Sequence, residues 1–135
     1  MSHLDEAVLQ SLVDAARTAA ASAYCPYSKF HVGAAIWAGG KVFTGANVEN
    51  ASYGLTVCAE RTAAFAAVLA GQRRFEAIAV ACVDAPGGSE LNLLMPCGAC
   101  RQVLAEFSAP ETPVLVDRAG TFRLDELLPL AFRLG

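Results

Sequence analysis

The chain has 135 residues, 55% of them hydrophobic and 17% charged. This length suits one domain over 1–135 with a single core, and so apolar a composition implies that part of the excess is buried between subunits. A net charge of −3 gives no electrostatic reason to expect nucleic acid or an anionic membrane as partner and leaves a small molecule as the expected one. No apolar run reaches the roughly 18 residues of a membrane span, and Met1 to Glu6 lack the features of a secretory signal, so a cytoplasmic location is expected.

Leu4 to Tyr24 carries Leu4, Val8, Leu12, Val13 and Ala16 at helical spacing and is rich in alanine, which predicts one amphipathic helix. Pro26, between Cys25 and Tyr27-Ser28, marks a stop and a turn. Phe30 to Trp37 reads as a strand, Gly39-Gly40 as a hairpin turn, and Lys41 to Gly45 as the return strand. Asn47 to Thr56 is a polar loop that feeds into Cys58. Cys58 to Ala70 reads as a second helix stopped by Gly71, with Cys58 in its first turn. Ala77 to Val83 is the apolar run of a strand covered on both faces. Asp84 to Met95, with Pro86-Gly87-Gly88, reads as a flexible connection. Cys97 to Phe107 is a third helix and Pro113 to Asp117 another buried strand. A short edge piece at Thr121 to Arg123 and a helical turn at Leu124 to Leu128 complete the chain. This order implies a sheet covered by helices on both faces.

The five cysteines are an odd number, which favours metal binding or plain thiols over disulfides. Cys97 and Cys100 are three apart, so on a helical turn their sulfurs share a face and can share an ion. Cys58, at another helix start, can add a third thiolate. Three cysteines suit Zn²⁺, and three protein ligands with a fourth position left for water is the pattern of a catalytic site. Three thiolates around a dication leave net negative charge. Helix N-termini and the cations Arg61, three residues after Cys58, and Arg101, next to Cys100, can offset it. Glu60, two residues from Cys58, can take a proton from a water at such a site and pass it to a leaving nitrogen, which is hydrolytic deamination in outline. Cys25 and Cys82 have no partner in sequence and read as core thiols. His3 and His31 have no ligand-like neighbours and are not expected to bind metal.

Cys58-Ala59-Glu60 with Pro96-Cys97-Gly98-Ala99-Cys100 matches the three-cysteine form of the zinc deaminase signature. Tyr27-Ser28-Lys29-Phe30, Val32-Gly33-Ala34-Ala35, the stretch from Gly45 to Gly54, and Cys100-Arg101-Gln102 extend the likeness. From about Tyr24 to Phe132 the chain resembles the homotetrameric cytidine deaminases. The resemblance implies a three-layer α/β/α fold with a five-stranded mixed sheet, one Zn²⁺ per subunit, and conversion of cytidine and deoxycytidine to uridine and deoxyuridine with release of ammonia, a step of pyrimidine salvage. It implies that Phe30 packs against the pyrimidine, that Asn47 and Glu49 bind the sugar hydroxyls, and that Glu60 holds the ring nitrogen and shuttles protons. It also implies that backbone near Ala59 and Cys97 orients the base, and that Tyr53 and Phe132 complete a neighbouring subunit's pocket. One departure stands out: the connection from Pro86 to Met95 is longer than in many members and more apolar before Pro96, which leaves its path and its effect on substrate access open.

Four alternatives compete, one of them deamination of a polynucleotide, which an acidic chain without a basic groove disfavours. An aminonucleoside antibiotic such as blasticidin S could be the substrate, although Asn47 to Tyr53 resembles a ribose-binding stretch. A structural zinc in an interaction module would need a fourth protein ligand, and no second close pair accompanies Cys58. Redox exchange at Cys97 and Cys100 lacks a thioredoxin-like context.

Overall fold

A computed structural model describes residues 4–135, so His3 lies outside the described residues. The first helix, α1 (Glu6–Ala19), starts where the side chain of Asp5 accepts from the Val8 amide at 2.9 Å. Glu6 in its first turn and Arg17 in its last complement the helix dipole. The predicted single helix to Tyr24 ends early, tightening into a 3₁₀ turn at Ala20–Ser22. The cause is tertiary: the Tyr24 amide donates to the Asn47 carbonyl at 2.9 Å and the Glu49 amide to the Tyr24 carbonyl at 2.8 Å, which draws the chain into extended pairing with that loop.

Strands β1 (Val32–Ala38) and β2 (Lys41–Ala46) form the expected hairpin. Gly39 and Gly40 have φ of 60° and 74°, the left-handed pair that a tight two-residue hairpin turn requires. Helix α2 (Ala59–Leu69) leads to β3 (Ala77–Cys82), which pairs antiparallel with β1 and parallel with β4 (Pro113–Val116). Helix α4 (Gly98–Glu106) crosses between β3 and β4, preceded by a single turn, α3 (Leu91–Leu94), within the connection expected to be flexible. The order there comes from Leu94, buried in the core, and from the Cys82 thiol, which lies 3.9 and 3.7 Å from the Leu93 and Leu94 carbonyls. Strand β5 (Gly120–Arg123) and the turn α5 (Leu124–Leu127) follow. The mixed five-stranded sheet runs β2-β1-β3-β4-β5.

Alternate strand residues face opposite layers. Ala35, Ala77, Ala79, Ala81 and Leu115 pack against Leu12 and Ala16 of α1. Ala34, Ile36, Ile78, Val80, Val114 and Val116 pack with Ala63, Ala64 and Ala67 of α2 and Leu104 of α4. The result is three layers, α/β/α. Both helix layers sit unusually close to the sheet. A Cβ on Gly33 would fall 1.8 Å from the Ala16 carbonyl oxygen, and one on Gly45 only 2.3 Å from the Ala63 nitrogen and 2.7 Å from the Ala59 oxygen. Glycine at 45 therefore sets how deeply the start of α2 docks. Among the described residues no helix is long and apolar enough to cross a membrane.

Candidate active site

The close docking of α2 brings its start beside the start of α4. Cys58 and Cys97 are the residues immediately before these helices, with extended backbone (φ −72° and ψ 158°; φ −69° and ψ 168°) rather than lying within the first turn as the sequence suggested. An extended backbone at this position leaves the side chain free to face the unpaired amides of the first turn. Cys100 follows one turn into α4 and is buried, while Cys58 is half-buried and Cys97 exposed. The sulfurs of Cys97 and Cys100 are 3.4 Å apart, those of Cys58 and Cys97 3.8 Å, and all three lie within 4.8 Å of one another. Tetrahedral Zn²⁺ with bonds of about 2.3 Å needs sulfurs about 3.8 Å apart. The donor set and its spacing therefore fit one zinc ion, with solvent reaching the cluster on the Cys97 side.

The electrostatics favour thiolate. The Cys58 thiol is drawn down to about 5, chiefly because the Cys100 thiol hydrogen-bonds to it, with Arg61 adding to the effect. Cys100 is pushed up in return, first by that same hydrogen bond and then by burial, so negative charge settles on Cys58 first. Arg61 Nη2 lies 3.6 Å from the Cys58 sulfur and 3.5 Å from the Thr56 carbonyl, while its Nε is buried without a partner.

Glu60 is the one charged side chain buried in the core among the described residues, 4% exposed. Burial pushes its carboxyl up to about 7, which poises it between acid and base at neutral pH. A dication among the sulfurs would favour its charged form.

The loop before β1 is held from three sides. Glu49 accepts the Tyr27 and Ser28 amides at 3.0 and 3.1 Å on Oε1 and the Ser28 hydroxyl on Oε2. These hydrogen bonds, the hydroxyl's first, hold its carboxyl below the usual range. Ser28 Oγ in turn accepts the Phe30 amide at 3.0 Å. Asn47 accepts the Val32 amide at 2.9 Å on Oδ1 and donates from Nδ2 to the Phe30 carbonyl at 2.8 Å. Lys29, between them, takes a left-handed φ of 60°. Phe30 packs partly buried against the core that includes α2.

A family model described as the cytidine and deoxycytidylate deaminase zinc-binding region matches residues 6–116. The chain belongs to the cytidine deaminase family. It is 50% identical over 121 residues to the cytidine deaminase of Mycobacterium tuberculosis, covering 88% of this chain and 85% of that one. It is 48% identical over 128 residues to the cytidine deaminase of Halalkalibacterium halodurans, covering 91% and 92%. The crystal structure of cytidine deaminase from Burkholderia pseudomallei superposes with a TM-score of 0.80 at 45% identity, covering 98% of this chain and 100% of that one. Membership in the cytidine deaminase family makes the chain a zinc-binding hydrolase.

Other residues expected to serve the cytidine deaminase site are arranged less uniformly. Ala59 is fully buried at the first position of α2. Arg101 does not share the role of Arg61: it donates to the Pro96 carbonyl at 2.8 Å and the Leu127 carbonyl at 2.7 Å, and no bond from it to a sulfur is found among the described residues. Tyr53 and Phe132 point outward, 91% and 68% exposed, with the Phe132 carbonyl accepting from Gln102 Nε2 at 3.0 Å. Sequence reasoning passed over Ser28, Thr62 and Asp84. Thr62 Oγ1 reaches both the Ala46 and Ala59 carbonyls at 2.9 Å, tying α2 to β2. Asp84, two residues past the end of β3, accepts from His31. Only Ser28 carried a signal, its place in Tyr27-Ser28-Lys29-Phe30.

Proposed function

We propose that this chain hydrolytically deaminates cytidine and 2′-deoxycytidine to uridine and 2′-deoxyuridine, releasing ammonia, and that it does so as a cytoplasmic homotetramer in pyrimidine salvage. The observation that carries the reading is the pairing of three sulfurs at zinc spacing with the buried carboxyl of Glu60, two residues from one of them.

Cys58, Cys97 and Cys100 would hold Zn²⁺, which when bound would supply the Lewis acidity that makes water nucleophilic near neutral pH. Glu60 moves the protons. Its carboxylate takes one from the attacking water and delivers it to the ring nitrogen next to C4. It then carries the second to the exocyclic nitrogen, which leaves as ammonia as the C4–N bond breaks and the C4–O bond becomes a carbonyl. Phe30 packs on the pyrimidine face, and backbone near Ala59 and Cys97 orients the base. Asn47 keeps a second N–H on Nδ2, and Glu49 keeps one unused lone pair on Oε2, so both retain capacity for sugar hydroxyls while holding the loop. Arg61 balances the charge of Cys58.

Four-fold assembly is supported by apolar side chains left exposed on the chain, among them Tyr53, Leu55, Phe65 and Leu69. In that assembly Tyr53 and Phe132 would complete a neighbour's pocket.

The test is direct. Purified zinc-loaded protein incubated with cytidine should show the ultraviolet change of deamination and yield uridine and ammonia. Inertness toward every cytosine nucleoside would overturn the assignment, and a monomer mass by light scattering would overturn the tetramer.

A further inference from the structure

Strand β3 ends at Cys82, whose antiparallel partner on β1 is Val32. One residue earlier, the His31 amide has no backbone rung to join, because the chain after Cys82 turns: the Ala85 amide bonds back to the Cys82 carbonyl at 3.1 Å. The side chain of Asp84 supplies the missing rung. Its Oδ2 accepts the His31 amide at 2.7 Å and lies 2.6 Å from His31 Nδ1. The turn that presents Asp84 is itself pinned. Arg118, held at a left-handed φ of 68° just past β4, donates to the Ala85 carbonyl at 3.0 Å and to the Cys82 carbonyl at 2.7 Å.

This bond sits in the middle of a short segment whose neighbours are all tied by side chains. The Phe30 amide goes to Ser28, the Phe30 carbonyl and the Val32 amide to Asn47, and the His31 amide to Asp84. Asn47 is one of the two sugar ligands in the reading above, and Ser28 is bonded to the other, Glu49. Asp84 is the one anchor that reaches the segment from the end of β3.

We propose that Asp84 is a positioning residue for nucleoside binding: by extending the β1–β3 ladder to His31 it fixes Phe30 and Asn47 in the geometry that holds the base and the sugar. The proposal rests on the binding roles given to Phe30 and Asn47. Asp84 touches neither the zinc ligands nor Glu60 in any hydrogen bond found among the described residues, so its effect falls on binding rather than on the chemical step.

The experiment compares Asp84→Ala, Asp84→Asn and Arg118→Gln with the wild type in the zinc-loaded enzyme, using cytidine and measuring KM, kcat and bound zinc. Asp84→Ala is expected to raise KM about tenfold or more, with kcat within about threefold and zinc at one per chain. Asp84→Asn, whose Oδ1 still accepts the His31 amide, is expected to recover most of the loss, and Arg118→Gln to raise KM by a smaller factor. An unchanged KM in Asp84→Ala overturns the proposal, as does a fall in kcat that follows zinc loss. Should Asp84→Ala not fold, an unchanged KM in Arg118→Gln does the same. Phe30→Ala run in parallel separates the two failures. If it raises KM while Asp84→Ala does not, only the positioning role falls, whereas if neither moves KM the binding roles themselves are wrong.

Discussion

Arg61, in the first turn of α2, places a guanidinium nitrogen 3.6 Å from the sulfur of Cys58, the residue that precedes the helix. Three thiolates around a dication leave excess negative charge, and this contact sets a positive group beside them to offset it. Removing it in Arg61→Gln should weaken zinc binding by about 10- to 100-fold, the range seen when partners of metal ligands are lost. Competition against a metal chelator measures this. An affinity equal to the wild type would show that the helix N-termini alone balance the cluster.

Glu60→Gln separates metal binding from proton transfer. The amide fills the same buried space and leaves the three sulfurs untouched, so zinc should remain at one per chain. Turnover should fall by about 10²- to 10⁴-fold or more, because no group is left to carry a proton from water to nitrogen. Near-normal kcat with cytidine would remove Glu60 from the proposed mechanism.

The layered fold and the sulfur cluster were legible in the sequence because both rest on spacing. Apolar runs at Ala77–Cys82 and Pro113–Val116 specify buried strands, and two cysteines three apart at a helix start must share a face. What could not be read was set by contacts between distant segments. The early end of α1 depends on Asn47 and Glu49 capturing Tyr24, and the ordered turn at Leu91–Leu94 depends on Leu94 entering the core beside Cys82. Arg61 lies three residues after Cys58 and Arg101 one after Cys100, so each is close to a cysteine ligand in sequence. They diverge because α5 offers Arg101 the Leu127 carbonyl, while Arg61 has the Cys58 sulfur within reach. A side chain's choice between two acceptors is a tertiary fact, and adjacency in the chain cannot supply it.

The depth at which α2 docks can be tested at Gly45. A methyl group there would meet the Ala63 and Ala59 backbone at 2.3 and 2.7 Å, so Gly45→Ala must push the start of α2 away from β2. Overpacking of this kind costs about 1–3 kcal/mol, and since Cys58 precedes α2, zinc occupancy should fall as well. Gly40→Ala is the control: its φ of 74° makes alanine strained, yet nothing lies within 4 Å of the new methyl. It should lose stability without losing zinc. Equal zinc content in the two variants would show that the position of α2 does not govern the metal site.

Glu49 gives the acid side of the stability profile a component of known sign. Its carboxyl is held below the ordinary range, first by the Ser28 hydroxyl and then by the Ser28 and Tyr27 amides. A depressed carboxyl contributes stability that is fully present above the unfolded value, about 4.3, and is lost as pH falls through the folded value. The difference in unfolding free energy between wild type and Glu49→Gln should therefore be constant from pH 7 to about 5 and shrink below that. Ser28→Ala removes the largest cause and should shift the point of loss upward, toward the ordinary glutamate range. Because Glu49 lies at the surface, salt screening will reduce the effect, and the comparison is best made at low ionic strength. Urea unfolding at a series of pH values reads it. A difference that grows as the solution is made more acidic would mean that the loop is held by bonds other than those to Glu49, and the reading of Glu49 as both loop anchor and sugar ligand would lose its structural half.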